Sequence, residues 1–403
     1  MPSEMDIALA KVRELLPTMA GESRTSLTAE LHGLANSLET PDDTIHRYGA
    51  MNLQTAVVKI GLDLGLFKLL VNHGEPIGVD DMSLAIAAET ALLARILKYL
   101  AAIGAIDEIA SDRYGANHIT NNLSEKVAEV GIRHYFATAA PQYQTLPGFL
   151  KRIGYKNPTD ALHTAFQDAF KTDVHQFSWF SQHPENLAYF NEFMALRRKP
   201  EVSWLTVYPV QEQVRGWDRE RPVYVNMGGG IGHQCAEFLE RYPQVPGRVI
   251  LQDLPHSIAK ALPTPRVENM AHDFFSPQPI KGAKFYFLRG VCHNHPVDKV
   301  KKLLENIKQA MEPDSIILLD EWILPDTRAN INAVSMDITM LTAFAGGERT
   351  ERQWQSIIDE VGLELIKTYE LLAGPSSFSD LFPLVARPYL TSNDITFYDC
   401  VAT

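Results

Sequence analysis

The arrangement of hydrophobic and polar residues changes part-way along the chain. From residue 1 to about 205, apolar residues recur at helical spacing between short polar breaks, as in QTAVVKIGLDLGLFKLL over Gln54–Leu70. From about Arg221 onward, short β-rich runs such as VYVNM alternate with amphipathic segments such as DKVKKLLENIKQAM. The first pattern indicates helices, and the second indicates a mostly parallel sheet with crossover helices. We therefore predict two domains, a helical one over 1–205 and an α/β one over 206–403.

A shorter pattern inside the N-terminal half predicts a winged-helix-like arrangement. The stretch PIGVDDMSLAIAAETALLARILKYLAAIGAIDEIASDRYGANHIT reads as a helix, a turn, a second helix and a hairpin around Ser111–Tyr114. The second helix, from about Thr90 to Ala102, offers Arg95 and Lys98 and is otherwise mostly apolar. We expect it to pack in a core rather than to contact DNA. The aromatic residues between about 158 and 205 are expected to form core, with a substrate pocket as the alternative.

Composition and charge exclude several classes of function. The chain carries 37 basic and 49 acidic residues, a formal net charge of -12, whereas phosphate binding needs a basic surface, so we expect no nucleic-acid partner. Its three cysteines form no CxxC pair, which argues against a disulfide framework or a structural zinc site and favours a reducing compartment. The N-terminus is a mixed-charge amphipathic segment, and no run approaches about 18 apolar residues. We expect a cytoplasmic protein without a membrane partner.

A glycine-rich turn between the first predicted strand and the following helix is the first candidate for chemistry. Gly228, Gly230 and Gly232 form GxGxG, where glycine lets the backbone turn tightly and approach a ligand. The dinucleotide fingerprint GxGxxG requires a further glycine, and the two places for it hold His233 and Cys235. A nicotinamide cofactor is therefore disfavoured.

Acidic residues follow the second predicted strand and the next segment. Asp253 ends the strand RVILQD about twenty residues beyond the glycine turn, where a carboxylate accepts hydrogen bonds from ribose hydroxyls. The alternative is an aspartate that caps the helix beginning near Pro255. Asp273 and the adjacent Phe274 offer an acceptor for an adenine amino group and an aromatic surface for the ring.

Five segments in a fixed order carry a family resemblance. At VNMGGGIGH, LQDLP, HDFF, FYFLRGVCHNHP and LLDEWILP, the sequence resembles the plant and fungal caffeate-type (class I) O-methyltransferases. It is most similar to the fungal branch that modifies polyketides, a branch that includes O-methyltransferase-like pericyclases of the leporin-pathway type. The resemblance spans about residues 40–375. It implies a Rossmann-like S-adenosylmethionine-binding domain, a winged-helix-like N-terminal domain for dimerisation and substrate covering, and a homodimer.

The same resemblance implies roles for individual residues. It implies that the cofactor contacts Gly228, Gly230, Gly232, Asp253, Leu254, Asp273, Phe274 and Arg289. It also implies that His293 is the general base and that Glu321 and Glu348 are the carboxylates that flank it.

These residue types suit methyl transfer to an oxygen. Displacement at a sulfonium depends mostly on positioning, and a phenol or enol must lose its proton as it attacks. A histidine with a pKa near 6.5 is suited to accept that proton, and a glutamate on the other ring nitrogen fixes its tautomer. The alternative for His293 is a satisfied core histidine. Because no carboxylate or further cysteine stands at a usual ligand spacing from Cys292, His293 and His295, we expect no metal.

The chain departs from the family pattern at two places. The acidic residue that precedes the glycine loop in the family is Asn226 here, which still offers hydrogen bonds to the cofactor. The family's His-Asp-Trp-Pro appears as His293-Asn294-His295-Pro296. Because Asn294 and His295 occupy substrate-contacting positions, they leave the acceptor open.

The departures give the pericyclases weight as an alternative. In a pericyclase the bound sulfonium acts as a fixed charge, and hydrogen-bond donors polarise a substrate carbonyl inside an apolar pocket. His134 in GIRHYF and Arg198 in LRRKP match polar positions of that group. The sequence therefore predicts methyl transfer to a phenol or enol of a polyketide-type molecule. A Diels–Alder or Alder-ene cyclisation of a polyketide–peptide or pyridone precursor is the alternative, and retention of His293 with both glutamates disfavours a non-catalytic cofactor-binding protein.

Overall fold

The computed structural model describes residues 3–18, 21–196, 203–369 and 381–388. It separates into two compact units, a helical unit (Ser23–Pro147 and Ala169–Arg198) and a sheet unit (Met1–Glu22, Gly148–Asp168 and Lys199–Thr403). This division differs from the predicted boundary at 205/206, since residues 148–168 and the residues just before 206 belong to the sheet unit. The reason at the second point is packing: Trp204 and Leu205 are buried in the core of the sheet unit, and the Trp204 ring lies 4.9 Å from that of Phe287.

Helices dominate the chain up to residue 196, as the apolar periodicity predicts. They are α1 (Glu4–Leu15), α2 (Gly21–Ser37), α3 (Pro41–Gly49), α4 (Met51–Asp63), α5 (Leu66–His73), α6 (Val79–Ile86), α7 (Thr90–Ala102), α8 (His118–Ser124), α9 (Lys126–His134), α10 (Ala140–Arg152), α11 (Ala165–Phe170), α12 (Gln176–Gln182) and α13 (Pro184–Leu196). A π-helical segment, Tyr135–Ala139, connects α9 to α10 without a break.

The winged-helix-like pattern is present in the helical unit. Three short antiparallel strands, β1 (Ile77–Gly78), β2 (Asp107–Ala110) and β3 (Arg113–Gly115), form a sheet in the order β1-β3-β2. Helix α7 begins at a Glu89 cap and buries Leu93, Leu97 and Leu100 on one face, while Arg95 and Lys98 are exposed. The helix therefore packs into the core of this unit, as its apolar spacing predicts.

The sheet unit is built on an eight-stranded mixed sheet. Its strands are β4 (Pro222–Met227), β5 (Arg248–Asp253), β6 (Val267–Ala271), β7 (Phe285–Arg289), β8 (Ile316–Leu324), β9 (Arg349–Thr350), β10 (Leu363–Thr368) and β11 (Leu381–Pro388). The order is β10-β11-β8-β7-β4-β5-β6, with β9 beside β8; β4 to β9 pair in parallel, and β11 is antiparallel to both neighbours. The connecting helices are α14 (Val210–Gln213), α15 (His233–Arg241), α16 (Pro255–Ile258), α17 (Val297–Lys308), α18 (Ile331–Phe344) and α19 (Glu351–Val361).

The central position of β4 explains the location of the site. Every residue of β4 is buried, because helices cover both faces of the sheet. Ligands of open α/β sheets bind at the carboxyl ends of the strands. In this unit, β5 and β7 end at Asp253 and Arg289, β4 ends directly before Gly228, and Glu321 lies three residues before the end of β8.

Candidate active site

The glycine loop after β4 needs glycine for two separate reasons. Gly228, Gly230 and Gly232 have φ values of 65°, 62° and 96°, a region that other residues rarely adopt. At Gly229 a Cβ would lie 2.4 Å from Nδ2 of Asn226, so the buried asparagine packs directly against the loop. A Cβ on Gly230 would meet nothing within 4 Å. The loop therefore packs against the buried Asn226 at Gly229 and borders open space at Gly230.

Asp253 is tied to this loop at the end of β5. Its Oδ2 accepts a hydrogen bond from the N–H of Gly230 at 2.8 Å, and its Oδ1 accepts one from the N–H of Leu254 at 2.7 Å. Each carboxylate oxygen keeps a further lone pair, so both remain able to accept from a ligand hydroxyl. The side chain of Leu254 is exposed beside it.

The segment after β6 joins the same group. The N–H of His272 donates to the carbonyl of Asp253 at 2.9 Å, and Oδ1 of Asp273 accepts from the N–H of Phe275 at 3.0 Å. The ring of Phe274 lies 3.4 Å from where a Cβ of Gly228 would stand. The structure therefore brings the residues with predicted ribose and adenine roles together around the glycine loop.

Arg289, at the end of β7, pairs with a buried acid of β8. Its Nε lies 3.3 Å from Oδ2 of Asp320, and the Asp320 side chain is fully buried. Neither carboxylate oxygen of Asp320 has a hydrogen-bond partner among the described residues. Burial raises the pKa of Asp320 to about 6, against the opposing effect of the Arg289 charge. Arg289, the predicted cofactor contact, is therefore paired with an acid that sequence reasoning did not single out.

The three predicted catalytic residues meet at one point. His293 lies on a 3₁₀ turn, Cys292–Asn294, that directly follows β7, and its Nδ1 is 2.7 Å from Oε1 of Glu348. Oε1 of Glu321, on β8, accepts hydrogen bonds from the N–H groups of Val291 (3.0 Å) and Cys292 (2.7 Å). One carboxylate thus orients the imidazole, and the other holds the turn that carries it.

A model of the O-methyltransferase domain matches residues 156–364 of this chain. The chain belongs to the O-methyltransferase family. S-adenosylmethionine is the cofactor of this family, and the protein is an S-adenosylmethionine-dependent enzyme.

Individual relatives of this chain cover nearly its whole length. O-methyltransferase ucdC of Aspergillus ustus is 38% identical over 90% of this chain and 94% of its own length. Demethylsterigmatocystin 6-O-methyltransferase of Aspergillus parasiticus is 34% identical over 91% and 94%. Two solved structures at 33% identity cover 96% of this chain: the LepI complex with SAM (TM-score 0.85, 99% of that chain) and "A Pericyclic Reaction enzyme" (TM-score 0.84, 100% of that chain). The two-unit O-methyltransferase fold predicted from the sequence is confirmed.

The residues of the O-methyltransferase site fit its cofactor. Gly230 borders open space, and the glycine loop packs against Asn226, whose amide nitrogen has no hydrogen-bond acceptor among the described residues. Asp253 and Asp273 supply acceptors, while Phe274 supplies an aromatic face. These groups suit the ribose hydroxyls, the adenine amino group and the adenine ring in that order.

Electrostatics favour the charged form of His293, the predicted base. Burial lowers the pKa of His293, but the charge and hydrogen bond of Glu348, together with the charge of Glu321, outweigh it and raise the pKa above its ordinary value. Burial raises the pKa of Glu321, opposed by the nearby His293. The site is therefore arranged to stabilise an imidazolium.

Two residues of the same cluster escaped sequence reasoning. Asp337 on α18 accepts a hydrogen bond from the N–H of Glu348 at 2.9 Å, and Arg349 reaches the backbone on both sides of His293. Arg349 directly follows Glu348 in GGERT, so its place beside a site residue is the signal that could have found it.

Asn294 and His295 follow His293, with the Asn294 amide hydrogen-bonded to the backbone and the His295 ring packed against aromatic rings. Nδ2 of Asn294 donates to the carbonyl of Gly290 at 3.0 Å. The His295 ring is buried and meets the rings of Phe274 (5.6 Å) and Phe275 (5.0 Å) edge to face. His295 thus packs against the predicted adenine residue, and its contact with substrate remains a prediction.

His134, the described one of the two pericyclase-type positions, lies in the helical unit. His134 is the last residue of α9, and its ring lies 5.6 Å from the ring of Phe190 and 5.9 Å from that of Phe193. Arg198 lies outside the described residues. The aromatic residues around His134 form core, as expected, since Phe180 and Phe193 are buried.

The catalytic cluster also resembles a metal-ligand set. One atom each of His293, Glu321 and Glu348 lie within 4.8 Å of one another. However, Nδ1 of His293 is hydrogen-bonded to Glu348, and Glu321 accepts two backbone N–H groups, which suits an oriented base. The absence of a metal remains a prediction.

In the part of the chain that the structure describes, no helix has the length and apolar character needed to cross a membrane.

Proposed function

We propose that this enzyme transfers a methyl group from S-adenosylmethionine to a phenol or enol hydroxyl of a polyketide-type small molecule in secondary metabolism. The observation that carries the proposal is the hydrogen bond between Nδ1 of His293 and Oε1 of Glu348, beside the cofactor-binding loop. A carboxylate on one ring nitrogen fixes the tautomer and leaves Nε2 as the base. A satisfied core histidine would not need two buried carboxylates.

The site residues act on the acceptor hydroxyl. When bound, S-adenosylmethionine supplies the methyl group and a positive charge on sulfur. Nε2 of His293 accepts the proton of the hydroxyl, and Glu348 stabilises the imidazolium that results. Glu321 fixes the turn through Val291 and Cys292, so that the imidazole keeps its position relative to the glycine loop.

The cofactor roles form part of the same proposal. We assign the methionine tail to the loop of Gly228, Gly230 and Gly232, with Arg289 as a further contact. We assign the ribose to Asp253 beside Leu254, and the adenine to Asp273 and Phe274. The support is that these side chains lie around one loop, which borders open space at Gly230.

A pericyclase is the second candidate, favoured by the likeness to a structure named "A Pericyclic Reaction enzyme" at 33% identity. In that case the cofactor serves as a fixed charge, and His134 with Arg198 polarises a carbonyl of a polyketide–peptide or pyridone precursor. The intact His293, Glu321 and Glu348 cluster places methyl transfer first. The relative named for O-methylation of demethylsterigmatocystin supports the same choice.

Mass balance distinguishes the two candidates. The purified chain is incubated with S-adenosylmethionine carrying a deuterated methyl group, and with either a hydroxylated aromatic polyketide or an acyclic pyridone alcohol. Methyl transfer yields a product with the labelled methyl and one equivalent of S-adenosylhomocysteine. An isomeric or dehydrated product with the cofactor unconsumed would overturn our proposal and establish the pericyclase.

We further propose a cytoplasmic homodimer formed through the N-terminal half, with the helical unit covering the substrate. The apolar residues of α5 and of one face of α7 are covered within the unit itself, since Leu66, Phe67 and Leu97 are buried. Large apolar side chains are exposed on α2, on α3 and on the turn before α3, where Leu34, Leu38 and Ile45 are 63%, 83% and 67% exposed. Others are exposed on α6 and α7, where Leu84 and Leu92 are 83% and 53% exposed. Large exposed apolar side chains of this kind favour a partner surface.

A further inference from the structure

Arg349 is a buried cation that the reaction described above does not use. Only 6% of the residue is exposed, and its guanidinium donates hydrogen bonds to three backbone carbonyls. Nη1 reaches the oxygens of Cys292 (3.2 Å) and Gly347 (3.0 Å), and Nη2 reaches that of His295 (2.7 Å). A buried guanidinium directed at carbonyls indicates that the backbone is what it holds.

The three carbonyls have a specific relationship to the base. Cys292 and His295 lie on either side of His293 and Asn294, and Gly347 directly precedes Glu348. A single side chain therefore joins the turn that carries the imidazole to the segment that carries its orienting carboxylate. We propose that Arg349 is a positioning residue that fixes the turn carrying His293 relative to the segment carrying Glu348.

The backbone around His293 needs such support. The turn itself contains 3₁₀-type bonds, from Asn294 N–H to Val291 (3.1 Å) and from His295 N–H to Cys292 (3.2 Å), a geometry weaker than that of an α-helix. From the segment that carries Glu348, the N–H of Gly347 donates a hydrogen bond to the carbonyl of His293 at 2.9 Å. The charge-assisted bonds of Arg349 add to these weak contacts at the points where the turn begins and ends.

Arginine has features here that lysine cannot replace. Its planar fork reaches three carbonyls from one position, whereas an ammonium is a compact point charge. Its guanidinium carbon lies 5.3 Å from the centre of the Trp354 ring, which is itself buried. Pairing of β9 with β8 places Arg349 beside Ile323, on the strand that carries Glu321. The fork is therefore fixed by a ring on one side and a strand on the other.

The position of the Arg349 side chain and its positive charge affect His293 in two separable ways. The positive charge of Arg349 is one of the influences that lower the pKa of His293, after burial and against Glu348 and Glu321. Arg349→Lys keeps a charge but loses the fork, whereas Arg349→Met loses both. Arg352→Met is a matched control. Arg352 lies three residues after Arg349, its side chain is 83% exposed, and it pairs with Asp326 at 3.0 Å.

The test rests on the proposed methyl transfer and combines kinetics with a readout that is independent of turnover. The full-length wild type, both Arg349 variants and the control are assayed for kcat and for KM of S-adenosylmethionine. The His293 imidazole is titrated by NMR in histidine-labelled protein, with His293→Gln to assign its signal. We expect kcat of Arg349→Lys to fall about 10- to 100-fold with KM for the cofactor within about twofold.

The NMR titration gives the second expectation and separates the possible failures. The pKa of His293 in Arg349→Met should be higher than in the wild type, and it should be unchanged in Arg352→Met. A folded Arg349→Lys with wild-type kcat, or an unchanged His293 titration in Arg349→Met, would overturn the proposal. If the wild type transfers no methyl group but the titration still moves, the positioning role stands and the proposed function fails. If Arg349→Met does not fold, Arg349→Gln takes its place in the titration.

Discussion

His293 and Glu348 stand 55 residues apart in the chain, yet Nδ1 of the imidazole lies 2.7 Å from Oε1 of the carboxylate. Each arrives through a tight backbone feature. The histidine follows β7 on a 3₁₀ turn, and the glutamate follows α18 through Ala345, whose φ is 53°. At Gly346 a Cβ would stand 2.1 Å from the carbonyl oxygen of His293, so no side chain fits between the two segments. The pair therefore depends on close backbone packing as well as on its own hydrogen bond.

Replacement of the base tests the proposed chemistry directly. His293→Ala should lower kcat for methyl transfer by about 10²–10⁴-fold, the usual contribution of a positioned general base. The Kd for S-adenosylmethionine should change little, since the predicted cofactor contacts lie on other residues. Calorimetry measures the Kd, and product formation measures kcat. His256→Ala, at an exposed position, is the control, and full activity of His293→Ala would exclude its role as base.

The pH dependence follows from the raised pKa of His293. A general base must be neutral, so kcat/KM should fall as the pH drops through the histidine pKa, with a midpoint above 6.5. Glu348→Gln removes a negative charge that favours the imidazolium, and its midpoint should move to lower pH. Initial rates at saturating cofactor between pH 5 and pH 9 give both midpoints. A difference of about one pH unit between the two midpoints is large enough to measure. Identical midpoints would mean that Glu348 does not act on His293.

Cofactor binding should stabilise the fold through Asp253. At about one hundred times its Kd, a ligand specific for the folded state adds about 2.7 kcal/mol of stability. S-adenosylmethionine should therefore raise Tm, NADH should not, and Asp253→Ala should lose most of the shift. Asp326→Ala, an exposed change in the same unit, should keep it. A wild-type Tm that stays constant in millimolar cofactor contradicts the assignment of the site.

Asp320 should make stability depend on pH in an unusual direction. Its folded pKa is raised to about 6 by burial from an ordinary 3.8, so between those values the folded state holds more protons than the unfolded state. The free energy of unfolding therefore falls as the pH rises through this window, on the order of 2–3 kcal/mol for two pKa units. Asp320→Asn should flatten that slope, as measured by urea denaturation at pH 4.5 and pH 7. A variant with the wild-type slope would show that Asp320 stays ionised throughout.

The homodimer proposal makes a separate prediction. Charges introduced at the exposed apolar positions, as in Leu38→Glu with Ile45→Glu, should convert a dimer to a monomer because each charge would be desolvated in the interface. Leu162→Glu, at an exposed position of the sheet unit, should leave the mass unchanged. Light scattering over a range of protein concentrations reads the result. A wild type that is monomeric at every concentration ends the proposal.

Apolar runs predict the buried strands well and the peripheral ones poorly. Strands β4, β5, β7 and β8 each contain an unbroken run of at least three apolar residues, because both of their faces are covered. Strand β6 lies at the edge, has three exposed residues among its five and lacks that signal. Strand β10 follows α19 directly after Gly362, so its short apolar pattern is easily taken for the end of the helix.

The site residues also divide into those that the sequence reveals and those that only the folded structure reveals. Asp253, His293 and Glu348 are recognisable because a local motif surrounds each of them. Asp320 and Arg349 stand beside Glu321 and Glu348 in such motifs, but their roles depend on contacts that only the folded sheet creates: a neighbouring strand for Asp320, and the turn after β7 for Arg349. A charged residue next to a motif carries no sign in the sequence of whether it is buried.

The π-helical segment Tyr135–Ala139 lets α9 and α10 follow each other without a break while holding more residues than an α-helical turn. An α-helix turns about 100° per residue, and a π-helical turn holds about one residue more than an α-helical one. Loss of one residue between His134 and Ala140 would therefore return the segment to regular α-helix and leave the side chains on either side nearly in register. The same loss inside α9 or α10 would rotate the side chains before it by about 100° relative to those after it. The segment is thus the place where this part of the chain can shorten by one residue and still keep the same side chains on one face.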